Sequence, residues 1–270
     1  MATSATADRF RLYASLVSVA VSVAIFAASF LFRNSSFYDP YWSVAPPLIA
    51  LYFALRPVSA HVDGLRMFFV FALVTAWAAR LTWNWARGWQ GLGHEDWRYR
   101  RLQQQTGRAY WLVSFTGIHL MPTFWVFVGC LPLYPALAAA TRGFGLLDVI
   151  AALVMAGSIW IEKQADDQLR RFRAEGHGPQ AILKTGLWAW SRHPNYFGEM
   201  GFWWGLWLFG LAANPAWWWT IAGPISITLM FRYVSLPMVE TRMLESRPAY
   251  AAHTRLIPLV ILRPPRRTAG

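Results

Sequence analysis

Charged side chains that interrupt apolar segments are the first candidates for chemistry in this sequence. Arg80, Glu162, Glu199, Arg232 and Glu240 each lie in, or at the end of, an otherwise apolar stretch. An unpaired charge in hydrocarbon costs at least about 2.5 kcal/mol, so such residues normally face a polar cavity or one another. The alternative is that a charged residue near the end of a span extends its side chain so that the charged group reaches the membrane interface. The pattern predicts one polar cavity shared by these five residues.

One acidic and basic series has helical spacing. Glu162, Asp166, Arg170 and Arg173 recur every three or four residues, which places them on one face of a helix. Carboxylates there could accept hydrogen bonds from ribose or amide groups, while the planar guanidinium groups hold phosphate. A solvated, salt-bridged helix face is the alternative.

A second helix and the segment after it carry further polar candidates. Arg80 and Asn84 are one turn apart, and Asp96, Arg98 and Tyr99 follow in a stretch that mixes aromatic and basic residues. Such a mixture could stack on an adenine ring and bind a phosphate. It could equally anchor the chain at an anionic lipid interface.

The elements that position these residues follow from composition. Of the 270 residues 56% are hydrophobic and only 14% are charged, against about 25% charged in an average soluble domain. Apolar runs of the length needed to cross a bilayer, about 20 residues, predict an all-α integral membrane protein with a single domain, residues 1–270, and about seven transmembrane helices. The predicted spans are Leu12–Phe32, Tyr38–Leu55, Leu65–Trp85, Tyr110–Tyr134, Gly145–Ile161, Gly198–Ala213 and Trp217–Val239.

The distribution of Lys and Arg predicts the orientation. With the N-terminus outside and the C-terminus inside, the cytoplasmic segments hold 18 basic residues and the outer segments 5, as the positive-inside rule requires. The five interrupting charges then share the cytoplasmic half of a bacterial inner membrane. The net charge of +12 is explained by this topology and by attraction to lipid headgroups, so no nucleic-acid partner is predicted.

Metal and nucleotide-loop motifs are absent from the sequence. The six histidines form no pair at ligand spacing, and Cys130 is the single cysteine, so no metal or haem site is predicted. Because no Gly-rich phosphate loop is present either, a nucleotide would have to be held by side chains on helices.

The stretch Ser191-Arg192-His193-Pro194-Asn195-Tyr196-Phe197-Gly198-Glu199 resembles the signature of the steroid 5-alpha-reductase C-terminal domain, and is most similar to its largely uncharacterised bacterial and plant branch. The resemblance covers residues 159–258. It implies a seven-helix enzyme that binds NADPH from the cytosol and reduces a carbon–carbon double bond conjugated to a carbonyl in a hydrophobic lipid, such as a 3-oxo-steroid.

The resemblance also implies which residues contact the cofactor. The family's Asn-x-x-x-Asp-x-x-x-Arg-x-x-Arg helix matches the series that begins at Glu162, with Glu in place of the first Asn. The family's motif Asn and Glu match Asn195 and Glu199, its last-span arginine matches Arg232, and Glu240 stands where it has a cofactor-contacting tyrosine. The candidate cofactor-binding residues are Arg80, Asn84, Asp96, Arg98, Tyr99, Glu162, Asp166, Arg170, Arg173, Arg192, His193, Asn195, Tyr196, Glu199, Arg232 and Glu240.

The catalytic residues of the steroid enzymes are not retained. Those enzymes polarise the substrate carbonyl with a Glu and a Tyr, and the tyrosine position is Trp77 here. Hydride delivery to an enone builds negative charge on the carbonyl oxygen, which a buried acid or hydrogen-bond donor must stabilise. The candidates are Asp39, Tyr38, Tyr41 and His119. For Asp39 the alternative is a helix N-cap, and for His119 a structural histidine.

Two other functions fit the same residues. The Arg-His-Pro-x-Tyr-x-Gly pattern followed by a carboxylate, Glu240, also resembles membrane methyltransferases of the isoprenylcysteine and phospholipid type, which use S-adenosylmethionine. A lipid-binding membrane protein without enzymatic activity is the third reading, although it leaves the clustered intramembrane charges unexplained.

Overall fold

The computed structural model describes residues 20–264, and every regular element in that range is helical. Three of the helices, Gly64–Gly88, Trp97–Cys130 and Pro215–Ser246, are long and apolar enough to cross a membrane. The class of helical membrane protein is therefore confirmed, while the count of seven spans and the orientation remain predictions. The first part of the predicted span Leu12–Phe32, residues 12–19, lies outside the described residues.

We number the helices in chain order. They are α1 (Ala20–Leu31), α2 (Tyr41–Ala54), α3 (Gly64–Gly88), α4 (Trp97–Cys130), α5 (Leu133–Leu137), α6 (Leu146–Ala174), α7 (Pro194–Ala213), α8 (Pro215–Ser246) and α9 (Tyr250–Leu256). Two of them contain a π-helical turn, at Ser114–Leu120 in α4 and at Phe231–Ser235 in α8.

Two helix bounds differ from the predicted spans in ways that affect the site, and one predicted extension is present. The chain forms a 3₁₀ turn at Ser35–Tyr38, so α2 begins at Tyr41 instead of Tyr38. Helix α4 begins at Trp97, well before the predicted Tyr110, because the Asp96 side chain caps it by accepting a hydrogen bond from the Arg98 N–H. The predicted continuation of α6 beyond the apolar run, through Arg173, is confirmed.

Close packing of α7 on α6 places the polar side chains of the two helices together. A Cβ atom on Gly198 would lie 2.7 Å from the Ser158 carbonyl oxygen, and one on Gly205 would lie 2.5 Å from Met155 Cγ. Small residues at such positions let two helix backbones approach closely within a membrane. Because Gly198 precedes Glu199, this approach brings Glu199 to Glu162 on α6.

Helices α3 and α6 run in the same direction and are joined by two buried ion pairs. Near their first turns, Arg66 Nε lies 2.7 Å from Asp148 Oδ1, and neither side chain is exposed. Arg66 also donates to the carbonyl oxygens of Arg142 and Gly143. Toward the other ends, Arg80 pairs with Glu162. The pairs therefore fix the register between the two helices.

Candidate functional site

Arg80 is the centre of a buried network between α3 and α6. Its guanidinium pairs with Glu162 and donates to Asp166 Oδ2 at 2.9 Å. The three side chains are largely shielded from solvent, with exposed fractions of 12%, 5% and 14%. Such a charge group is tolerated at membrane depth only where protein partners satisfy it. The helix face predicted to carry Glu162 and Asp166 is therefore the face of α6 that contacts Arg80 on α3.

Two amides and a second arginine extend this network. Asn84 Nδ2 donates to Asp166 Oδ2 at 3.2 Å, and Arg170 donates to the Asn84 side-chain oxygen. From α7, Asn195 Nδ2 donates to Asp166 Oδ1, also at 3.2 Å. Asp166 thus accepts hydrogen bonds from three side chains, on α3 and α7. The network therefore joins α3, α6 and the signature segment at the start of α7, which the sequence analysis treated as three separate groups of polar candidates.

Glu199 is held by three tryptophans. Its Oε1 accepts from the indole N–H groups of Trp42 at 3.2 Å and Trp203 at 3.0 Å, and its Oε2 accepts from Trp77 at 3.0 Å. Its carboxyl group also lies within hydrogen-bonding reach of Glu162. The tryptophans come from three helices, and no sequence pattern predicted their convergence. Trp77, which stands where the steroid enzymes have a tyrosine, is thus a hydrogen-bond donor to this carboxylate.

Arginines cluster where α6 ends. Partial burial and the nearby positive charges of Arg247 and Arg170 lower the pKa of Arg173, and Arg242 acts in the same direction. Arg242 also stacks over the Trp97 ring, with its Cζ 4.1 Å from the ring centroid. Like charges in such a cluster repel one another, and an anion bound among them would offset that repulsion. Arg242 and Arg247 were missed in the sequence because they lie far along the chain in an ordinary basic segment.

Asp39 faces Tyr99 and Arg98. Its Oδ1 accepts a hydrogen bond from the Tyr99 hydroxyl at 2.5 Å and lies 3.6 Å from an Arg98 nitrogen. The N-cap of α2 is Pro40, and no side chain caps that helix, so the reading of Asp39 as an N-cap is wrong. Asp39 lies before α2, and burial raises its pKa to about 6 although Arg98 and Tyr99 oppose the shift. Asp96 pairs with the same Arg98, with 2.8 Å between Oδ1 and Nε.

The other catalytic candidates lie elsewhere. His119, in the π-helical turn of α4, is buried against α1, where its Nε2 is 3.1 Å from Ser29 Oγ; its Nδ1 is 3.0 Å from the Ser114 carbonyl oxygen. Tyr38 is also buried there, with its hydroxyl 2.9 Å from Thr123 Oγ1. This favours a structural role for His119 and Tyr38, since polar side chains commonly join helices in membranes. Tyr41 packs between this cluster and the main core.

Glu240 forms a separate polar group with the signature segment. It pairs with Arg192, its Oε1 lies 2.6 Å from His193 Nε2, and the Tyr250 hydroxyl donates to the same oxygen at 2.6 Å. Arg192 is further fixed through its backbone N–H, which donates to the Pro258 carbonyl oxygen. Glu240 thus ties the turn before α7 to α9 and the C-terminal segment.

Two of the five interrupting charges do not join the Arg80 network. Glu240 has the partners just described. Arg232 lies in the π-helical turn of α8, is exposed, and stacks on the Tyr233 ring with its Cζ 5.5 Å from the centroid. The prediction that all five share one cavity is therefore wrong: Arg80, Glu162 and Glu199 lie together, whereas Glu240 belongs to a separate polar group and Arg232 is exposed.

Aromatic rings connect the signature segment with α2. Tyr196 packs edge-on against His193 and Phe231, with ring centroids 5.6 and 5.1 Å apart, and Phe231 packs against Trp42. Trp42 in turn binds Glu199. This series of contacts leads from the signature segment to the Glu199 carboxylate, and Asp39 lies three residues before Trp42 in the chain.

The fold and this site are those of a helical membrane protein with a buried group of carboxylates, amides and arginines. The chain belongs to DUF1295, a family described as of unknown function, whose model matches residues 25–256. It is also similar to an uncharacterized protein of Schizosaccharomyces pombe, with 28% identity over 263 residues that cover 88% of this chain and 75% of the relative. No solved structure matches the chain significantly.

Proposed function

We propose that this chain is an NADPH-dependent membrane reductase of a lipid carbon–carbon double bond conjugated to a carbonyl. The observation that carries the proposal is the network in which Asp166 binds Arg80, Asn84 and Asn195 while Arg170 binds Asn84. Asp166, Arg170 and Asn195 in this network stand at positions of the cofactor motif that the resemblance to steroid 5-alpha-reductases implies, whereas Glu162 replaces the motif's first Asn.

The chemistry of these residues fits a phosphorylated dinucleotide. The arginine cluster of Arg170, Arg173 and Arg247 would hold phosphate, for which guanidinium groups are well suited. Asp166 and Asn195 offer an acceptor and a donor to ribose or carboxamide groups. Within residues 20–264, the buried Nε atoms of Arg80 and Arg170 have no hydrogen-bond partner. Since buried donors are normally satisfied, an acceptor from a ligand would complete them.

When bound, NADPH supplies a hydride, and the chain must stabilise the charge that develops on the substrate carbonyl. Asp39 is the residue we assign to this role, because it is partly shielded and its pKa of about 6 keeps part of the population protonated near neutral pH. A protonated carboxyl there can donate a hydrogen bond or a proton to an enolate oxygen.

The test is to purify the full chain in a mild detergent and to identify copurifying small molecules by mass spectrometry. The proposal expects a nicotinamide dinucleotide phosphate, and calorimetry should then show saturable binding of added NADPH. Turnover is checked by oxidation of NADPH in the presence of a panel of enone lipids. Absence of NADPH binding to the folded protein would overturn the proposal.

S-adenosylmethionine-dependent methyl transfer is the second candidate. The observation that favours it is the contact of Glu240 with Arg192 and His193, which places a carboxylate beside the Arg-His-Pro pattern. Copurification or calorimetric binding of S-adenosylmethionine in place of NADPH would select this candidate. Binding of lipid with neither cofactor would select the non-enzymatic reading.

A further inference from the structure

Glu162 and Glu199 form a buried carboxyl pair inside the network. Both side chains are nearly inaccessible to solvent, with exposed fractions of 4% and 6%. Gly198 packs directly against the backbone and Cβ of Glu162, which brings the neighbouring Glu199 carboxyl group to that of Glu162. Two carboxylates that share a site cannot both ionise without strong repulsion.

The geometry points to a single proton held between Glu162 and Glu199, so that this pair is a buried proton-binding site. The inference goes beyond the proposed function, because it holds whichever cofactor the protein uses.

Glu199 is the member of the pair whose oxygens face hydrogen-bond donors. Its two oxygens together accept three indole N–H groups, from Trp42, Trp77 and Trp203. An indole can only donate a hydrogen bond. Donors that converge on a carboxylate stabilise its charged form.

Glu162 carries the proton. Its Oε1 accepts from Arg80, whereas its Oε2 is buried and, within residues 20–264, has no hydrogen-bond partner. A proton on Oε2 that is donated to Glu199 satisfies this atom, as buried polar atoms normally require. Protonation leaves Oε1 free to accept from Arg80, whose charge is then matched by Asp166 at 2.9 Å.

The charges around the pair agree with one bound proton. Three carboxyl groups meet here, those of Glu162, Asp166 and Glu199, and Arg80 on α3 is the guanidinium in direct contact with them. Arg170 on α6 approaches through Asn84. With one proton bound, two carboxylates remain, and Arg80 and Arg170 balance them; Arg173 also acts on Asp166 but is exposed to solvent, which screens its charge. Without the proton, the network would hold an uncompensated buried negative charge, which is costly.

This pair also limits what a ligand can do in the network. A neutral donor can still bond to the remaining lone pairs of the protonated pair, whereas a cation that binds between the two carboxyl groups takes the place of the proton. The chemical class that would exchange with the proton is therefore a cation, and its binding would release the proton.

The experiment is infrared spectroscopy of the purified full chain in a detergent without ester groups, at about pH 8, which lies above the pKa of about 6 of Asp39 and keeps that carboxyl group ionised. The folded wild type should show the carbonyl stretch of a protonated carboxylic acid, which moves to lower frequency in D₂O. Glu162→Gln and Glu199→Gln should each lose this band, because each removes one of the two competing charges. Asp167→Asn, an acid on the same helix that pairs with Lys163, is the matched control and should keep it.

Two results would overturn the inference. One is the absence of the band in the folded wild type, which does not depend on any variant being stable. The other is a band of full intensity in both Gln variants, which would place the proton on another residue. Neither result bears on NADPH binding, so the proposed function stands or falls separately.

Discussion

Asp39 accepts a hydrogen bond from the hydroxyl group of Tyr99, although the two residues are 60 positions apart in the chain. The bond joins the segment before α2 to the first turn of α4 and gives the carboxyl group a fixed direction. It also opposes the effect of burial on the pKa of Asp39, because a donor to a carboxylate favours its ionised form.

The first prediction concerns turnover and pH. With Asp39 as the acid, the protonated form is active, so turnover should fall as pH rises through the pKa of about 6. Asp39→Asn should lose on the order of 10²-fold in turnover, the usual scale of general acid catalysis. Its turnover should no longer fall with rising pH in this range, and its NADPH affinity should be that of the wild type. Steady-state rates measured across pH give the answer.

Tyr99→Phe is the companion variant. It removes a hydrogen bond that lowers the pKa of Asp39, so the descending limb should move to higher pH while remaining present. Turnover of Asp39→Asn close to that of the wild type would exclude Asp39 as the acid and return attention to Tyr41, Tyr38 and His119.

The second prediction concerns Asn195. Its amide donates to Asp166 at 3.2 Å and would be shared with a bound nucleotide. Asn195→Ala should weaken NADPH binding by about 1 to 3 kcal/mol, the usual cost of an unpaired buried group, as measured by calorimetry. Gln103→Ala, an exposed amide on α4, should leave the affinity unchanged. Equal affinities for the two variants would mean that the nucleotide binds elsewhere.

The third prediction concerns the arginine cluster. If Arg173 contacts the 2′-phosphate, Arg173→Gln should weaken NADPH binding about tenfold, which corresponds to about 1.4 kcal/mol, and should leave NADH binding unchanged. Added salt should reduce the difference between the two cofactors, since ions screen exposed charges. Arg171→Gln, at an exposed neighbouring position, is the control. A parallel loss for NADPH and NADH would show that Arg173 does not discriminate between them.

How far the sequence predicts the site depends on whether the contacts are local. Glu162, Asp166 and Arg170 were found from helical spacing alone, because periodicity within one helix is a local property. The three indoles around Glu199 were not, because a tryptophan in an apolar span has the same sequence signal whether it faces lipid or a carboxylate. Asp39 was predicted to be either a catalytic acid or the N-cap of α2. The N-cap alternative is wrong, because the chain forms a 3₁₀ turn before Asp39 and Pro40 is the N-cap of α2.

The fourth prediction concerns stability. Arg66 donates to both oxygens of Asp148 and to two carbonyl groups. Arg66→Met leaves Asp148 buried and unpaired, which should lower the free energy of unfolding by about 3 to 5 kcal/mol. Thermal unfolding in detergent measures the effect. The double variant Arg66→Met, Asp148→Leu removes the isolated charge and should recover much of the loss. Equal instability of the single and double variants would contradict the desolvation argument.

The fifth prediction concerns topology. A reporter fused after Gly270 should be cytoplasmic, and one fused before Met1 should be outside, because 18 basic residues fall in the segments predicted to be cytoplasmic and 5 in the others. Paired reporters of alkaline phosphatase and green fluorescent protein distinguish the two sides. Both ends on one side would exclude an odd number of spans.

The distance between the two ion pairs that join α3 and α6 limits how far the Arg80 network can lie from the middle of the bilayer. Arg66 and Arg80 are fourteen positions apart, as are Asp148 and Glu162, a rise of about 21 Å along a helix. The hydrocarbon layer is about 30 Å thick, so at least one ion pair lies below the headgroups. If the Arg80 pair is the deeper one, a reaction there takes its substrate directly from the acyl-chain region. Its rate would then follow the mole fraction of substrate dissolved in the bilayer, and dilution with inert lipid would slow it even at constant bulk concentration.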